Sequence, residues 1–175
     1  MTAAPPAINV RTERAGDAAP VRAVLESAFG RAAEAELVDR LRASSKLVLA
    51  LVAEQPDGRV VGHVAFSRLA IETPSGSVAA TALAPLAVAA DLRRRGVGAL
   101  LVRSGLGMLA DRGEALVFVL GNPAYYARFG FDVAAAAAFM SPYSGRHFMA
   151  LRLVPSAPSS GIISYPSAFA DPDLG

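Results

Sequence analysis

The segment from residue 93 to residue 98 has the composition of an anion-binding turn. It joins three arginines to two glycines directly before an apolar helical pattern: Arg93, Arg94, Arg95, Gly96, Val97 and Gly98. Glycine lets the backbone turn tightly and approach a ligand closely. The unpaired N–H groups and the dipole at a helix start favour negative charge, and arginine adds positive charge beside them. The segment suits a pyrophosphate, although an arginine-rich surface turn is an equally good interpretation of these residues alone.

Other motifs that bind phosphate or carry a nucleophile are absent. A P-loop ends in Gly-Lys-Ser or Gly-Lys-Thr, whereas the only lysine, Lys46, follows Ser45. The glycines of residues 93–98 do not complete a Rossmann fingerprint, and no Gly-x-Ser-x-Gly elbow occurs. The chain has no cysteine, which excludes disulfides, thiolate ligands and a cysteine nucleophile. Its two histidines, His63 and His147, are far apart in sequence, and this argues against a metal site.

Hydrophobic periodicity predicts the elements that must position this segment. Helical spacing predicts helices over residues 17–29, 33–42, 98–111 and 123–130. Apolar runs between turn signals predict strands over residues 8–11, 46–54, 59–71, 78–88, 115–120 and 148–154. Strands 46–54 and 59–71 should form an antiparallel hairpin, whereas strands 78–88 and 115–120 should be parallel because a helix connects them. The predicted fold class is α+β with a mixed sheet, in a single domain over residues 1–175.

Several side chains have predicted places in this arrangement. Asp17 should cap the first helix. The charged face of the second helix should point outward: Glu34, Glu36, Asp39, Arg40 and Arg42. Residues 1–7 should be loose, and residues 155–175 should form a tail rich in Pro, Ser and Gly. Pro85 predicts an edge or a bulge in strand 78–88, because proline lacks the N–H that a ladder needs. The strand groups that follow it would then be free to pair with an extended ligand.

A second distinctive segment lies downstream, where residues 122–131 read Asn-Pro-Ala-Tyr-Tyr-Ala-Arg-Phe-Gly-Phe. It is similar to the Tyr-x-x-x-Gly-Phe element of the GNAT superfamily of N-acetyltransferases, and residues 93–98 resemble that family's pyrophosphate loop, Gln/Arg-x-x-Gly-x-Gly/Ala. The chain most resembles the small bacterial branch of predicted N-acetyltransferases, and the resemblance covers nearly its whole length. It implies an α/β three-layer fold with a mostly antiparallel sheet, a splayed central strand pair and helices on both faces. It also implies acetyl-CoA as acetyl donor, and no metal.

The resemblance implies roles for individual residues. A set of residues would bind the pantetheine and pyrophosphate of the donor: Leu86, Ala87, Val88, Arg93, Arg94, Arg95, Gly96, Val97 and Gly98. Asn122 is a further candidate for a contact with the donor. Tyr126 stands where the family places the general acid for the departing thiolate, and a backbone N–H near Val88 would stabilise the oxyanion. A packed core tyrosine is the alternative for Tyr126. Many relatives carry an asparagine at the position of Val119, so Asn122 could instead cap a short helix.

The general base is not apparent from the sequence. Strand 78–88 contains no carboxylate, although some relatives carry the base there. His63 and Glu72 are the candidates on the preceding strand, and a packed histidine and a solvated turn glutamate are the favoured interpretations of them. We expect the acceptor pocket to form from the loop around Gly30 and from residues 140–147.

Composition narrows the partners without naming the acceptor. A formal net charge of +2 is too small to indicate a nucleic-acid partner. The N-terminal residues do not resemble a signal peptide, and no apolar run suits a membrane span, so a soluble cytoplasmic protein is expected. The predicted activity is transfer of an acetyl group to an amine of a small molecule, peptide or protein. A non-catalytic CoA-binding regulatory module is the alternative, and a homodimer remains open.

Overall fold

The computed structural model describes residues 7–174. Its strands are β1 (Asn9–Thr12), β2 (Leu47–Glu54), β3 (Val60–Thr73), β4 (Gly76–Val88), β5 (Leu116–Leu120), β6 (Phe139–Met140), β7 (Phe148–Arg152) and β8 (Gly161–Ser164). Its α-helices are α1 (Ala18–Phe29), α2 (Ala33–Ala43), α3 (Val97–Asp111), α4 (Pro123–Tyr126) and α5 (Val133–Ala136). Residues 1–7 were predicted to be loose, and residues 1–6 of that segment lie outside the described residues.

The strands form one mixed sheet in the order β1-β2-β3-β4-β5-β7, and β8 joins the far end of β3 and also pairs with β6. The pairs β4–β5 and β6–β8 are parallel, and the other pairs are antiparallel. The predicted hairpin, the predicted parallel pair and the mostly antiparallel α+β fold class are therefore confirmed.

Helices cover both faces of the sheet. On one face α1 and α2 pack through Leu25 and Val38 against strand residues such as Ala65. On the other face α3 packs through Leu101 against Phe66 and its neighbours. Leu101 has no exposed surface. Its replacement by alanine would cost about 2–5 kcal/mol, since both the transfer free energy and a cavity contribute. These two interfaces give the three layers that the resemblance implies.

The centre of the sheet opens because β4 follows β3 further than it follows β5. Pairing of β4 with β5 covers three positions and ends at Leu83, opposite Val119, whereas pairing with β3 continues to Val88. Between these points two residues of β4, Ala84 and Pro85, lie opposite the single residue Ala65 of β3. This is the bulge that Pro85 predicts. It bends β4 away from β5 and leaves a gap between the two strands.

Two features differ from the predictions. Asp17 does not cap α1, because its carboxylate accepts hydrogen bonds from Arg11 Nη1 at 2.7 Å and from the backbone N–H of Arg14 at 2.7 Å. These contacts brace a 3-10 turn that precedes α1, and the pKa of Asp17 is lowered chiefly by the hydrogen bond from Arg11. The C-terminal segment is more ordered than its composition indicates, since β8 pairs with residues 70–72 of β3. In residues 7–174 no helix is long and apolar enough to cross a membrane.

Candidate active site

The arginine and glycine segment forms the start of α3, as predicted. Gly96 is the residue before the first turn and has a φ of 84°, a left-handed conformation that glycine adopts without strain. Arg94 also has a positive φ, of 60°. Gly98 faces the end of β4, because a Cβ there would lie 3.6 Å from Val88 Cγ2. The N-terminus of a 15-residue helix is thus placed beside the open edge of β4.

The three arginines of this segment do not have equivalent surroundings. The guanidinium of Arg93 donates hydrogen bonds to the carbonyl of Val88 at 3.4 Å and to that of Ala28 at 3.2 Å. Arg93 therefore links the end of β4 to the last turn of α1. Arg94 and Arg95 are exposed. These two side chains are better placed than Arg93 to meet an anion in front of α3.

The edge of β4 that faces the gap carries backbone groups without a strand partner among residues 7–174. The N–H of Ala89 donates to Val61 of β3 at 2.8 Å. Because successive N–H groups of a strand alternate in direction, the N–H groups of Val88 and Leu86 point toward the gap. An extended ligand along this edge could pair with them as an added strand would.

A cavity of about 310 Å³ lies in the gap. β4 and β5 contribute Leu83, Pro85, Leu86, Phe118 and Val119 to its lining, and α4 contributes Tyr126. The two segments expected to form the acceptor pocket, the loop around Gly30 and residues 140–147, contribute Phe29, Arg31 and Tyr143. The C-terminal segment adds Tyr165, Phe169 and Leu174, which the sequence analysis did not anticipate. The available signal was the presence of aromatic residues in a tail rich in Pro, Ser and Gly.

Tyr126 is half-buried and lines this cavity. Its ring packs edge to face on Tyr125, with 5.0 Å between ring centroids, and on Phe131 at 5.8 Å. Burial raises the pKa of the Tyr126 hydroxyl well above its ordinary value, and the neighbouring Tyr125 adds to the shift. The phenol therefore stays protonated at neutral pH, which is the form that a proton donor needs.

The adjacent Tyr125 points toward α3. A Cβ on Gly98 would lie 2.7 Å from the Tyr125 hydroxyl oxygen, so that oxygen rests against the first turn of α3. The guanidinium of Arg128 lies 4.6 Å from the centroid of the Tyr125 ring. Burial raises the pKa of Tyr125, and Arg128 opposes this shift. Of the two tyrosines, it is Tyr126 that lines the cavity.

Residues 9–134 match the family model of the acetyltransferase (GNAT) domain. The chain belongs to the GNAT acetyltransferase family. It is 41% identical over 126 residues to the uncharacterized N-acetyltransferase YhbS of Escherichia coli K12, and the match covers 72% of this chain and 74% of YhbS. It is 38% identical over 130 residues to the uncharacterized N-acetyltransferase YjhQ of the same strain, with 73% of this chain and 71% of YjhQ covered.

Solved structures of GNAT proteins share the fold over nearly the whole chain. The complex of Escherichia coli YhbS with CoA has a TM-score of 0.86 and 34% identity, and the match covers 98% of this chain and 96% of YhbS. A GNAT acetyltransferase from Brucella melitensis in complex with acetyl-CoA has a TM-score of 0.79 and 36% identity, with 93% and 98% covered. The superfamily, the fold and the N-acetyltransferase class that the sequence indicates are confirmed.

Asn122 has the geometry of a helix cap in this GNAT fold. Its Oδ1 accepts a hydrogen bond from the backbone N–H of Ala124 at 3.0 Å, at the start of α4. This is the alternative that the sequence leaves open for Asn122. The side-chain oxygen thus already accepts one hydrogen bond, and a contact with the donor would use its second lone pair or the amide nitrogen.

The structure places both candidate bases away from the cavity. His63 is fully buried, and its Nε2 lies 3.4 Å from a carboxylate oxygen of Glu13. Glu13 in turn pairs with Arg42. Glu72 is exposed and accepts a hydrogen bond from the Ser77 hydroxyl at 3.0 Å. Neither His63 nor Glu72 lines the cavity. The favoured interpretations, a packed histidine and a solvated glutamate, agree with this geometry.

A different carboxylate lines the cavity. Glu34 was expected on the outward face of α2, but its side chain is only 8% exposed. Its two oxygens accept hydrogen bonds from Arg31 Nε at 3.0 and 3.1 Å. Glu34 precedes the buried Val38 and Leu41 by four and seven positions, so helical periodicity already places it on the buried face. Over the described part of the chain, no group of three or more residues is suited to hold a metal ion.

Proposed function

We propose that this protein transfers the acetyl group of acetyl-CoA to a primary amine by direct attack within a ternary complex. The observation that carries the proposal is the meeting of three elements at one gap. β4 leaves β5 after Leu83, α3 begins beside Val88, and Tyr126 lines the cavity between them. The relatives from Escherichia coli and Brucella melitensis, which hold CoA and acetyl-CoA, support this choice of donor.

In this proposal, backbone groups of β4 and the start of α3 bind the donor. We assign the edge of β4 over Leu86, Ala87 and Val88 to the pantetheine arm. The N–H groups of residues 96–98 and the exposed Arg94 and Arg95 are assigned to the pyrophosphate, because helix N-termini and guanidinium groups stabilise phosphate charge. Arg93 would act mainly by holding the end of β4 in place, given its two hydrogen bonds to backbone carbonyls.

The chemistry needs an oxyanion donor and a proton donor. Acetyl-CoA supplies an acetyl group activated as a thioester. The amine nitrogen bonds to the carbonyl carbon, the carbon–sulfur bond breaks, and the proton of the amine passes to solvent water. We assign the backbone N–H of Val88 to the oxyanion and the hydroxyl of Tyr126 to the departing thiolate. Tyr126 then regains its proton from solvent.

A second candidate function is a non-catalytic CoA-binding module. Two observations favour it: no carboxylate lies on β4, and Asn122 is engaged as a helix cap. Both candidate functions share the donor site, so binding of acetyl-CoA alone does not distinguish them. Transfer of the acetyl group to an amine does distinguish them.

Two-substrate kinetics test the proposal. Initial rates would be measured over a matrix of acetyl-CoA and amine concentrations, with free CoA detected by a thiol reagent and the acetylated product by mass spectrometry. Direct attack predicts intersecting lines in a double-reciprocal plot. Parallel lines would indicate an acyl-enzyme and would contradict the mechanism. Binding of acetyl-CoA without transfer to a broad amine panel would favour the non-catalytic module.

A further inference from the structure

The outer part of the cavity has a wall of aromatic rings that the donor site does not explain. Phe29 comes from the end of α1, Tyr143 from the loop before β7, and Tyr165 and Phe169 from the C-terminal segment. These residues come from three separate segments of the chain, and each contributes an aromatic side chain to the same space. Because Phe29 and Tyr143 belong to the segments expected to form the acceptor pocket, we assign the wall to the acceptor side of the cavity.

Three of the four rings of this aromatic wall pack against one another. The Tyr143 and Tyr165 centroids are 5.0 Å apart with the rings at 81°, and those of Tyr165 and Phe169 are 5.4 Å apart at 64°. The Tyr143 hydroxyl donates to the carbonyl of Phe169 at 3.4 Å, and the Tyr165 hydroxyl lies 3.4 Å from the Ser141 hydroxyl. Because both hydroxyls have partners within the protein, the wall offers mainly ring surface to a ligand.

One ion pair supplies the charged side chains of the cavity lining in residues 7–174. The pair is Arg31 and Glu34. The side chain of Arg31 is 45% exposed, whereas that of Glu34 is 8% exposed, so the guanidinium lies on the solvent side and the carboxylate on the inner side. A carboxylate has about four acceptor positions, so Glu34 can accept hydrogen bonds beyond those from Arg31. An ammonium group is the ligand that would use them.

Acidic groups dominate the surface around this pair. The C-terminal segment is tied to α2 by Arg40, which donates to Asp171 at 2.8 Å and to Glu36 at 3.3 Å. The hydrogen bond to Glu34 raises the pKa of Arg31, and the negative charges of Asp173 and Asp171 add to this shift. Four carboxylates (Glu34, Glu36, Asp171 and Asp173) thus face two guanidiniums (Arg31 and Arg40). The excess of negative charge favours the approach of a cation over that of an anion.

We propose that the acceptor is a small primary amine attached to an aromatic or similarly bulky apolar group. Its ammonium pairs with Glu34 as it binds and passes one proton to solvent water before the nitrogen attacks the thioester, and its apolar body packs on the rings of Phe29, Tyr143, Tyr165 and Phe169. A polyhydroxylated amine would leave hydroxyls without partners against these rings, which costs free energy on burial. A phosphorylated amine would meet the acidic surface. This inference rests on the proposed acetyl transfer and adds the chemical class of its acceptor.

The test compares amines that differ in their apolar body. 2-Phenylethylamine and tryptamine represent the proposed class, and glucosamine and spermidine represent polar amines. We expect kcat/KM to be at least about tenfold higher for the first two, which corresponds to about 1.4 kcal/mol. In Glu34→Gln, KM for 2-phenylethylamine should rise about tenfold because the ammonium loses its charge partner. Acetyl-CoA affinity should stay within about twofold, because Glu34 is not among the residues assigned to the donor. Asp39→Asn is the matched control on the same helix, because Asp39 pairs with Arg22 and Arg42 and does not line the cavity, and it should leave both constants unchanged.

A second variant tests the proposal independently of whether Glu34→Gln folds. Phe169→Ala should raise KM for 2-phenylethylamine more than KM for n-butylamine, and thermal melting would establish that each variant is folded. Absence of acetyl-CoA binding by the wild type would refute the proposed function itself. Binding of acetyl-CoA with preference for glucosamine or spermidine, or with no transfer to either aromatic amine, would overturn the inference about the acceptor and leave the donor site intact.

Discussion

The hydroxyl oxygen of Tyr125 occupies the space in which a side chain on Gly98 would begin, since a Cβ there would lie 2.7 Å from it. The same point is 3.6 Å from Val88 Cγ2. α4, the first turn of α3 and the end of β4 are therefore in direct contact. A change at Gly98 should be transmitted to α4 through Tyr125.

This contact predicts different effects for two glycines of the same helix. Gly107→Ala should raise the free energy of unfolding by about 0.5–1 kcal/mol, because alanine favours the helix and nothing lies within 4 Å of the new methyl group. Gly98→Ala should lack this gain, because its methyl group displaces the Tyr125 hydroxyl. In the background of Tyr125→Phe the gain should return. Urea denaturation of the four variants measures this, and equal stabilisation at both glycines would contradict the contact.

Removal of the Tyr126 hydroxyl tests its role as proton donor. Tyr126→Phe should lower kcat by about 100-fold, a typical contribution of general acid catalysis, with little change in acetyl-CoA affinity. Tyr125→Phe should lower kcat far less. Because burial raises the pKa of Tyr126, its protonated form persists as pH rises past the ordinary value of about 10. An alkaline loss of kcat below pH 9 that disappears in Tyr126→Phe would contradict this assignment.

The buried His63 should matter for folding and not for the reaction. His63→Gln should lower the free energy of unfolding by about 1–3 kcal/mol, because it disturbs the carboxylate of Glu13 next to a fully buried ring. The folded variant should keep its kcat and the acidic limb of its pH profile. Loss of that limb without loss of stability would instead identify His63 as the base.

The contacts of Asp17 predict a loss of stability in acid. The pKa of Asp17 is lowered in the folded protein, chiefly by the hydrogen bond from Arg11. Its contribution to the free energy of unfolding is therefore present above its unfolded-state pKa of about 4 and is lost as pH falls through its folded-state pKa. The wild type should therefore lose stability between pH 5 and pH 3 to a greater extent than Asp17→Asn. Urea midpoints across that range would show it. Parallel curves for the two proteins would contradict the assignment.

Local chemistry was sufficient to predict the bulge and the helix start that we assign to the donor site. Pro85 lacks the N–H of a ladder residue, and the structure has a bulge there. Gly96 and the residues around it read as a helix start, and α3 begins at the next position. Each of these features depends on the residue itself and its immediate neighbours. Such features can be inferred without knowledge of distant contacts.

The part of the cavity that we assign to the acceptor depends on contacts between distant segments. β8 is only four residues long and sits in a Pro- and Ser-rich region, and its Ile163 pairs with Ile71 on β3. No local pattern identifies that partner. The orientation of Glu34 was predicted wrongly for a different reason. Its charge indicated an outward position, whereas its helical spacing places it on the same face as the buried Val38 and Leu41. Its burial is stabilised by Arg31, and the pairing becomes apparent only in the folded chain.

Calorimetric titration of acetyl-CoA tests the central claim most directly. Wild-type protein should bind at micromolar concentration. Arg95→Glu should weaken binding at least about tenfold, because a negative charge replaces a guanidinium in front of α3. Lys46→Glu makes the same change of charge at another exposed position and should bind as the wild type does. Absence of binding by the wild type, or equal weakening in both variants, would contradict a donor site at the junction of β4 and α3.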